Sequence, residues 1–321
     1  MSEAEAVTSF AGQQMYREEQ TMTQMVWRAF RRHKPAMVGL VTVVVLALAA
    51  IFAPVISPYD PERSSLLEKE NPPCIHFLGC PADQPTHIMG TDELGRDLLT
   101  RILYGGRVSL SIGVMAMGLA VIVGATIGGL AGFYGGWVDN VLMRFTDMML
   151  AFPQLFILII LAIAIRSLPI EALRGTAIAS VLSIVLVIAV LAWMQVARLV
   201  RASFLSLKEK EFSEAARCLG VPNRRIMLRH LMPNTMSPII VAATFRVATS
   251  IITESGLSYL GFGVQPPTPT WGNMLKNAQT MMTRAPWTAI FPGLMIFITV
   301  IAINFIGDGL RDALDPYKTE R

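Results

Sequence analysis

Charge is scarce in this chain. Only 16% of its 321 residues are Asp, Glu, Lys or Arg, where soluble domains carry about 25%. With 53% hydrophobic residues and a mean hydropathy of +0.51, the chain reads as an integral membrane protein. Chemical signatures are missing too. There is no G-x-x-x-x-G-K-[ST] to cradle phosphates, no H-E-x-x-H to hold zinc and no G-x-S-x-G nucleophile turn. The chain therefore has no evident means of burning ATP by itself, and an intramembrane hydrolase lacks its nucleophile and base. No repeat of about 20–50 residues appears. Ionisable residues at any membrane depth are few, namely Arg246, Glu254 and Asp147, which argues against a secondary transporter built on intramembrane acids and broken-helix repeats.

What is present is a set of long apolar runs. Those without charge span 35–59, 108–138, 148–165, 175–197 and 285–307, and 231–253 is interrupted only by Arg246. Each is long enough, at roughly 20 residues, to cross about 30 Å of hydrocarbon as a helix. The expectation is an all-α integral membrane protein with six transmembrane helices. The first is a retained anchor rather than a cleaved signal, because a polar arm of more than thirty residues precedes it. Arg28, Arg31, Arg32 and Lys34 stand just before that span and place the N-terminus inside. Six crossings return the C-terminus inside, along with the densely basic 198–229 segment. Basic loops against anionic lipid also account for the net charge of +4 without any nucleic acid.

Along the chain, Met25–His33 alternates apolar and basic residues and should lie as a short helix on the inner leaflet. The outside segment 57–107 holds Cys74 and Cys80, spaced C-x5-C, with His76 and His87 nearby. A disulfide between the two cysteines is the preferred reading over a metal site, and Cys218 is a reduced packing residue. Thr91 or Asp92 can cap a helix with Glu93 in its first turn. Asp92, Arg96 and Asp97 are expected in local salt bridges. Gly124, Gly128 and Gly132 form successive G-x-x-x-G steps for close helix approach. Arg144 and Asp147, three apart, can pair across one turn, and Pro153 should kink the third span.

Glu214 to Asn234, EAARCLGVPNRRIMLRHLMPN, is the polar stretch between two apolar segments. It reads as a short helix ending at Gly220, then a second from about Pro222 to Met232, broken by Pro233. Glu214, Ala215, Ala216, Gly220 and Pro233 fit the E-A-A, three residues, G, nine residues, I-x-L-P loop of ABC-importer permeases, with His230 and Met232 departing from it. Two further motifs resemble the dipeptide/oligopeptide/nickel branch of that family. They are GTDELGRD at 90–97 and E-x-x-L-S-Y-L-G-F-G-x-x-P-P-x-P-x-W-G-x-M-L at 254–275.

The resemblance implies a type I ABC importer transmembrane domain, multi-pass in the cell inner (plasma) membrane. Its expected divisions are an N-terminal arm (1–35), a first helix with external loop (36–106), a core (107–309) carrying the coupling loop (198–234), and a tail (310–321). It implies one half of a pathway for di- or oligopeptides, or alternatively nickel complexes or oligosaccharides. A second homologous permease, two ABC ATPase subunits and an external binding protein are the implied partners. ATP and Mg would be bound by the ATPases, with no cofactor and no enzyme activity in this chain. Glu214, Ala215, Ala216, Gly220, Arg224, Arg225 and Pro233 would couple to the ATPase. Arg246 and Glu254 are pathway candidates. Gly261 and Gly263 should end the fifth span, with Trp271 at the membrane interface.

Overall fold

The computed structural model describes residues 21–57, 59–74, 86–167 and 176–315. Among them helices are the regular secondary structure, joined by turns and irregular segments, with one isolated antiparallel bridge between Thr91 and Asp97. The helices are α1 (Met22–Arg32), α2 (Lys34–Ile51), α3 (Leu98–Tyr134), α4 (Gly136–Ala151) and α5 (Gln154–Ser167), followed by α6 (Ala177–Leu207) and α7 (Glu211–Cys218). The last three are α8 (Met232–Tyr259), α9 (Trp271–Ala278) and α10 (Trp287–Leu314). Five helices are long and apolar enough to cross a membrane, and six crossings result when α4 and α5 count as one broken span.

The central packing unit is α3 against α6. Their 37 and 31 residues give helices of about 55 and 46 Å, longer than the hydrocarbon they cross. Gly124, Gly128 and Gly132 lie one turn apart on α3. A Cβ at Gly124 would stand 2.6 Å from the Trp193 carbonyl oxygen and one at Gly132 2.8 Å from that of Arg201. At Gly128 it would strike the Ala197 carbonyl itself. The facing positions 193, 197 and 201 also step by four, so two backbones touch along matched rows, the geometry that small residues permit in lipid. Around this seam a single buried cluster includes Ala120, Trp193, Val196, Val200 and Phe204.

At the N-terminal side, Thr21 and Gln24 form a capping box, which starts α1 three residues before the expected Met25. His33 then closes α1 and caps α2 in one residue, its Nδ1 accepting from Ala36 N–H at 3.1 Å. Phe30 packs with Ala36 and Ala313, clamping α1 to the end of α10.

Three local expectations are corrected. The cap of α3 is Asp97, which accepts from Thr100 N–H and Oγ–H at 2.8 and 2.6 Å, rather than Thr91 or Asp92. The Asp92 carboxylate instead accepts from Leu94 and Arg96 N–H, closing a turn in which Gly95 adopts φ +69°. The third span does not merely kink at Pro153, because α4 and α5 meet at 95°. Phe152 before the proline takes an extended conformation (ψ 144°), as pre-proline residues favour. The helix therefore stops and restarts, and α5 alone spans only about 21 Å. Trp271 is 2% exposed, inside the protein rather than at the membrane interface. Its indole N–H reaches the Ile102 carbonyl at 3.1 Å across the space left by Gly106, whose added Cβ would stand 3.0 Å from the ring.

Gly128→Val is expected to push α3 off α6, an overpacking penalty of about 1–3 kcal/mol, and to lower the melting temperature of the purified complex by several degrees. Gly118→Ala serves as the control, since nothing stands within 4 Å of its added methyl. A Gly128→Val complex melting with the wild type would show that the seam is not close-packed.

Candidate functional site

The polar loop begins where α6 runs out. Lys208 Nζ donates to the Gly132 carbonyl at 3.3 Å, tying the loop's first residue to the seam's last glycine. Glu211 and Glu214 occupy the first turn of α7, where the helix dipole favours anions. The helix closes as a complete Schellman turn: Gly220 N–H donates to the Arg217 carbonyl at 2.9 Å and Val221 N–H to that of Ala216 at 3.1 Å. Gly220 has φ +72° and open space around its α-carbon. It is needed for its conformation, not for clearance.

The loop has two faces. Ser213, Ala216, Ile226 and Leu231 are buried, and all but Ser213 join Phe133, Val200 and Phe204 in the core cluster. The Arg217 guanidinium lies 5.7 Å from the Phe133 ring centroid, a cation–π contact with the end of α3. Outward stand Glu214, Ala215, Gly220, Arg224, Arg225 and Arg229, with Leu219 83% and Leu228 53% exposed. Ala216, expected with the outward set, belongs to the inward one. The two leucines were missed in the sequence. Their signal was two large apolar side chains lying within a charged stretch outside any membrane run.

Pro233 does not break the chain before the membrane. Asn223–Arg225 is α-helical, Ile226–Leu231 forms a π-helical turn, and α8 follows without interruption, with the proline in its first turn. A π turn bonds to the fifth residue back, and such bulges accommodate local disruptions of the α ladder. The wider turn absorbs the N–H that proline lacks and the clash it would cause.

Next to the loop, Arg201 holds Asp139 through two hydrogen bonds of 2.5 and 2.6 Å, tying α4 to α6. Asp147 pairs with Arg198 at 2.5 Å and not with Arg144. The i+3 partner on its own helix loses to a residue across the interhelical groove, and Arg144 remains exposed on the groove wall.

On the opposite end of the bundle, Asp92 pairs with Arg96 at 2.7 Å and Arg101 at 3.6 Å. Asp97, besides capping α3, bonds His87 Nδ1 at 2.9 Å. His87 is 2% exposed and packs its ring 4.9 Å from that of Tyr59, tilted by 32°; the Tyr59 phenol is pushed above its usual 10 by burial and by nearby Asp97 and Glu68. His87 thus serves as a buried strut of this segment. Cys74 N–H donates to the His87 carbonyl at 2.8 Å, while Cys80 and His76 lie outside the described residues. Cys218 is an exposed free thiol, not a packed one.

The two pathway candidates part company. Glu254 is 0% exposed. It accepts from Ser258 Oγ at 2.7 Å and Ser109 Oγ at 3.3 Å, and Ser109 in turn accepts from Trp271 N–H at 3.3 Å. It joins α8, α3 and α9, as a buried carboxylate must be hydrogen-bonded to persist, and so it lines no open surface. Arg246 is half-buried. Arg166, not singled out in the sequence, donates to the carbonyls of Phe262 and Gly263 and so holds α5 to the turn after α8.

Residues 124–319 match the family described as binding-protein-dependent transport system inner membrane component. Residues 21–73 match the N-terminal TM domain of oligopeptide transport permease C. The chain is 44% identical over 291 residues to a glutathione transport system permease protein of Escherichia coli O6:K15:H31, covering 90% of this chain and 89% of that one. The same identity and coverage hold for the protein of that name from Shigella boydii serotype 4. It is 42% identical over 303 residues to a dipeptide transport system permease protein of Alkalihalophilus pseudofirmus, covering 93% and 92%. The glycine seam, the polar loop and the helices from α4 to α10 thus fall inside the first matched region and α2 inside the second, and the chain belongs to the binding-protein-dependent transport system inner membrane components, the membrane-spanning permeases of ABC importers.

Proposed function

We propose that this chain forms half of the translocation pathway for di- or oligopeptides and couples it to separate ATPase subunits through the 198–234 loop. The observation that carries the coupling role is the two-faced loop. Its buried side is part of the same core as α3 and α6, and its outward side presents Glu214, Arg224, Arg225, Leu219 and Leu228. Such a mixture of apolar anchors and arginines suits a protein partner. The peptide assignment is supported by relatives named for glutathione and for dipeptides.

In this reading the N-terminus, the basic loop and the C-terminus are cytoplasmic, where Lys and Arg concentrate. The second permease is a homologue, and a binding protein delivers ligand from outside. Two ATPases bind the ATP and Mg for which this chain has no phosphate-cradling motif. Closure of the ATPases draws α7 with it. Because the loop is fastened through Ala216 and Arg217 of α7 and through Ile226 to the ends of α3 and α6, the membrane helices follow as a body and open the pathway outward.

Gly220→Pro and Glu214→Lys test this. Proline cannot adopt φ +72° and lacks the N–H that closes the turn, and lysine puts a cation at the positive end of α7. Both variants are expected to insert and assemble, yet to lose the stimulation of ATP hydrolysis by ligand-loaded binding protein. Full stimulation in both would exclude the loop as the coupler.

The Cys74–Cys80 pair is proposed as an external disulfide closing a short loop. Intact-mass measurement on protein prepared without reductant should find the two thiols oxidised, and two free thiols would remove it.

A further inference from the structure

The inference concerns Arg246 and rests on the peptide-importer reading above. Between Leu231 and Thr253 it is the one charged residue, and it stands near the middle of the 28 residues of α8. Either end of the helix is about 20 Å away, too far for an arginine to lift its guanidinium to the membrane surface. Among the described residues its side chain makes no ion pair or hydrogen bond. Other buried or half-buried arginines of the chain are satisfied: Arg96 and Arg101 by Asp92, Arg166 by carbonyls and Arg201 by Asp139. Arg246 is the exception, and a lone guanidinium facing lipid at this depth is strongly disfavoured.

Its surroundings on α8 are polar. At 100° per residue, Thr249 and Thr253 lie within about 60° of Arg246, and Gly256 within about 80°. Thr249 Oγ donates to the Phe245 carbonyl at 3.1 Å and Thr253 Oγ to the Thr249 carbonyl at 2.8 Å. Each hydroxyl spends its proton on its own helix and turns oxygen lone pairs outward. Gly256 continues the row with nothing within 4 Å of where a side chain would begin. Buried positions of the same helix begin beside Arg246 at Leu257 and Ser250 and run round through Glu254 to Ile251 and Ala248, so Arg246 stands at the border between a packed face and an open one, on which exposed Ile252 accompanies Thr249 and Gly256.

We propose that this open face of α8 is a wall of the water-filled pathway, and that Arg246 is a specificity-determining residue that engages the carboxylate of a passing peptide. A guanidinium can take a carboxylate through two parallel hydrogen bonds. With no partner of its own in the chain, Arg246 need break no ion pair to do so. The neighbouring threonines supply acceptors for peptide N–H groups.

The test uses the assembled complex with its binding protein in proteoliposomes, and two probes, dialanine and dialanine C-terminal amide. Each variant's acid-to-amide uptake ratio is taken relative to wild type, which cancels the binding protein's own preference. Arg246→Met is expected to lower that ratio about tenfold, and Arg246→Lys, which keeps the charge, to lower it far less. An equal fall for both probes, or no change, would overturn the proposal. It would then leave Arg246 to a contact with the partner permease.

A second measurement needs neither uptake nor an altered Arg246. In a chain with Cys218→Ser, the substitutions Thr249→Cys and Thr253→Cys are treated with anionic and cationic methanethiosulfonates. Faster reaction with the anionic reagent supports the assignment. Equal rates, or no reaction with either, overturn it. Failure of the wild type to take up either dialanine probe would count against the peptide reading, while the reagent rates would still decide the role of Arg246.

Discussion

Direct backbone contact between α3 and α6 is the constraint on which the rest of the structure depends. Glycine at 124, 128 and 132 lets the carbonyls of Trp193, Ala197 and Arg201 sit where side chains would otherwise stand. In lipid there is little hydrophobic gain from bringing helices together, so close van der Waals approach is a main source of cohesion. Once that distance is fixed, Phe204 fills the space beside Gly129 and Gly132. The α3–α6 pair then reaches past the hydrocarbon as one stiff unit, and its end becomes the seat for the polar loop. Arg201, the last residue of the row, contributes its backbone to the seam and its guanidinium to Asp139 of α4.

The two ends of the molecule solve their polar problems differently. At the loop end, charges are exposed and few are paired, leaving Arg224, Arg225 and Arg229 available on an outward surface. At the other end, charge is consumed internally. Asp92, Arg96, Arg101, Asp97 and His87 are all buried and engaged with one another. Buried ion pairs contribute little net stability, yet losing one partner is costly. Such a knot fixes the geometry at the start of α3 more than it strengthens the fold. The chain thus carries an internally paired polar cap at one end and an exposed, largely unpaired basic loop at the other.

Much of this was legible in the sequence because the relevant physics is local or periodic. Apolar runs gave the crossings, G-x-x-x-G spacing gave the seam, and Gly220 marked the turn that ends α7. What was not legible depended on choices between locally equivalent options. Asp92 and Asp97 are both sound helix caps, and only the turn at Gly95 decides for the second. Asp147 has Arg144 three residues away but Arg198 closer in space. Pro233 obeys the rule that proline ends helices until a π turn is available to absorb it, and no pattern in IMLRHL announces one. Ala216 and Glu254 sit in motifs that suggest function, whereas their burial shows that packing and a serine network claim them.

The central claim is that the loop and the α3–α6 pair move together. A spin label on the native Cys218, paired with one at Tyr134→Cys on the exposed end of α3, measures it directly in the assembled complex. The distance between them should stay constant between the nucleotide-free and ATP-trapped states, while that from Cys218 to the partner permease's corresponding loop shortens. A change of several ångströms within the chain, with the inter-subunit distance fixed, would contradict the account.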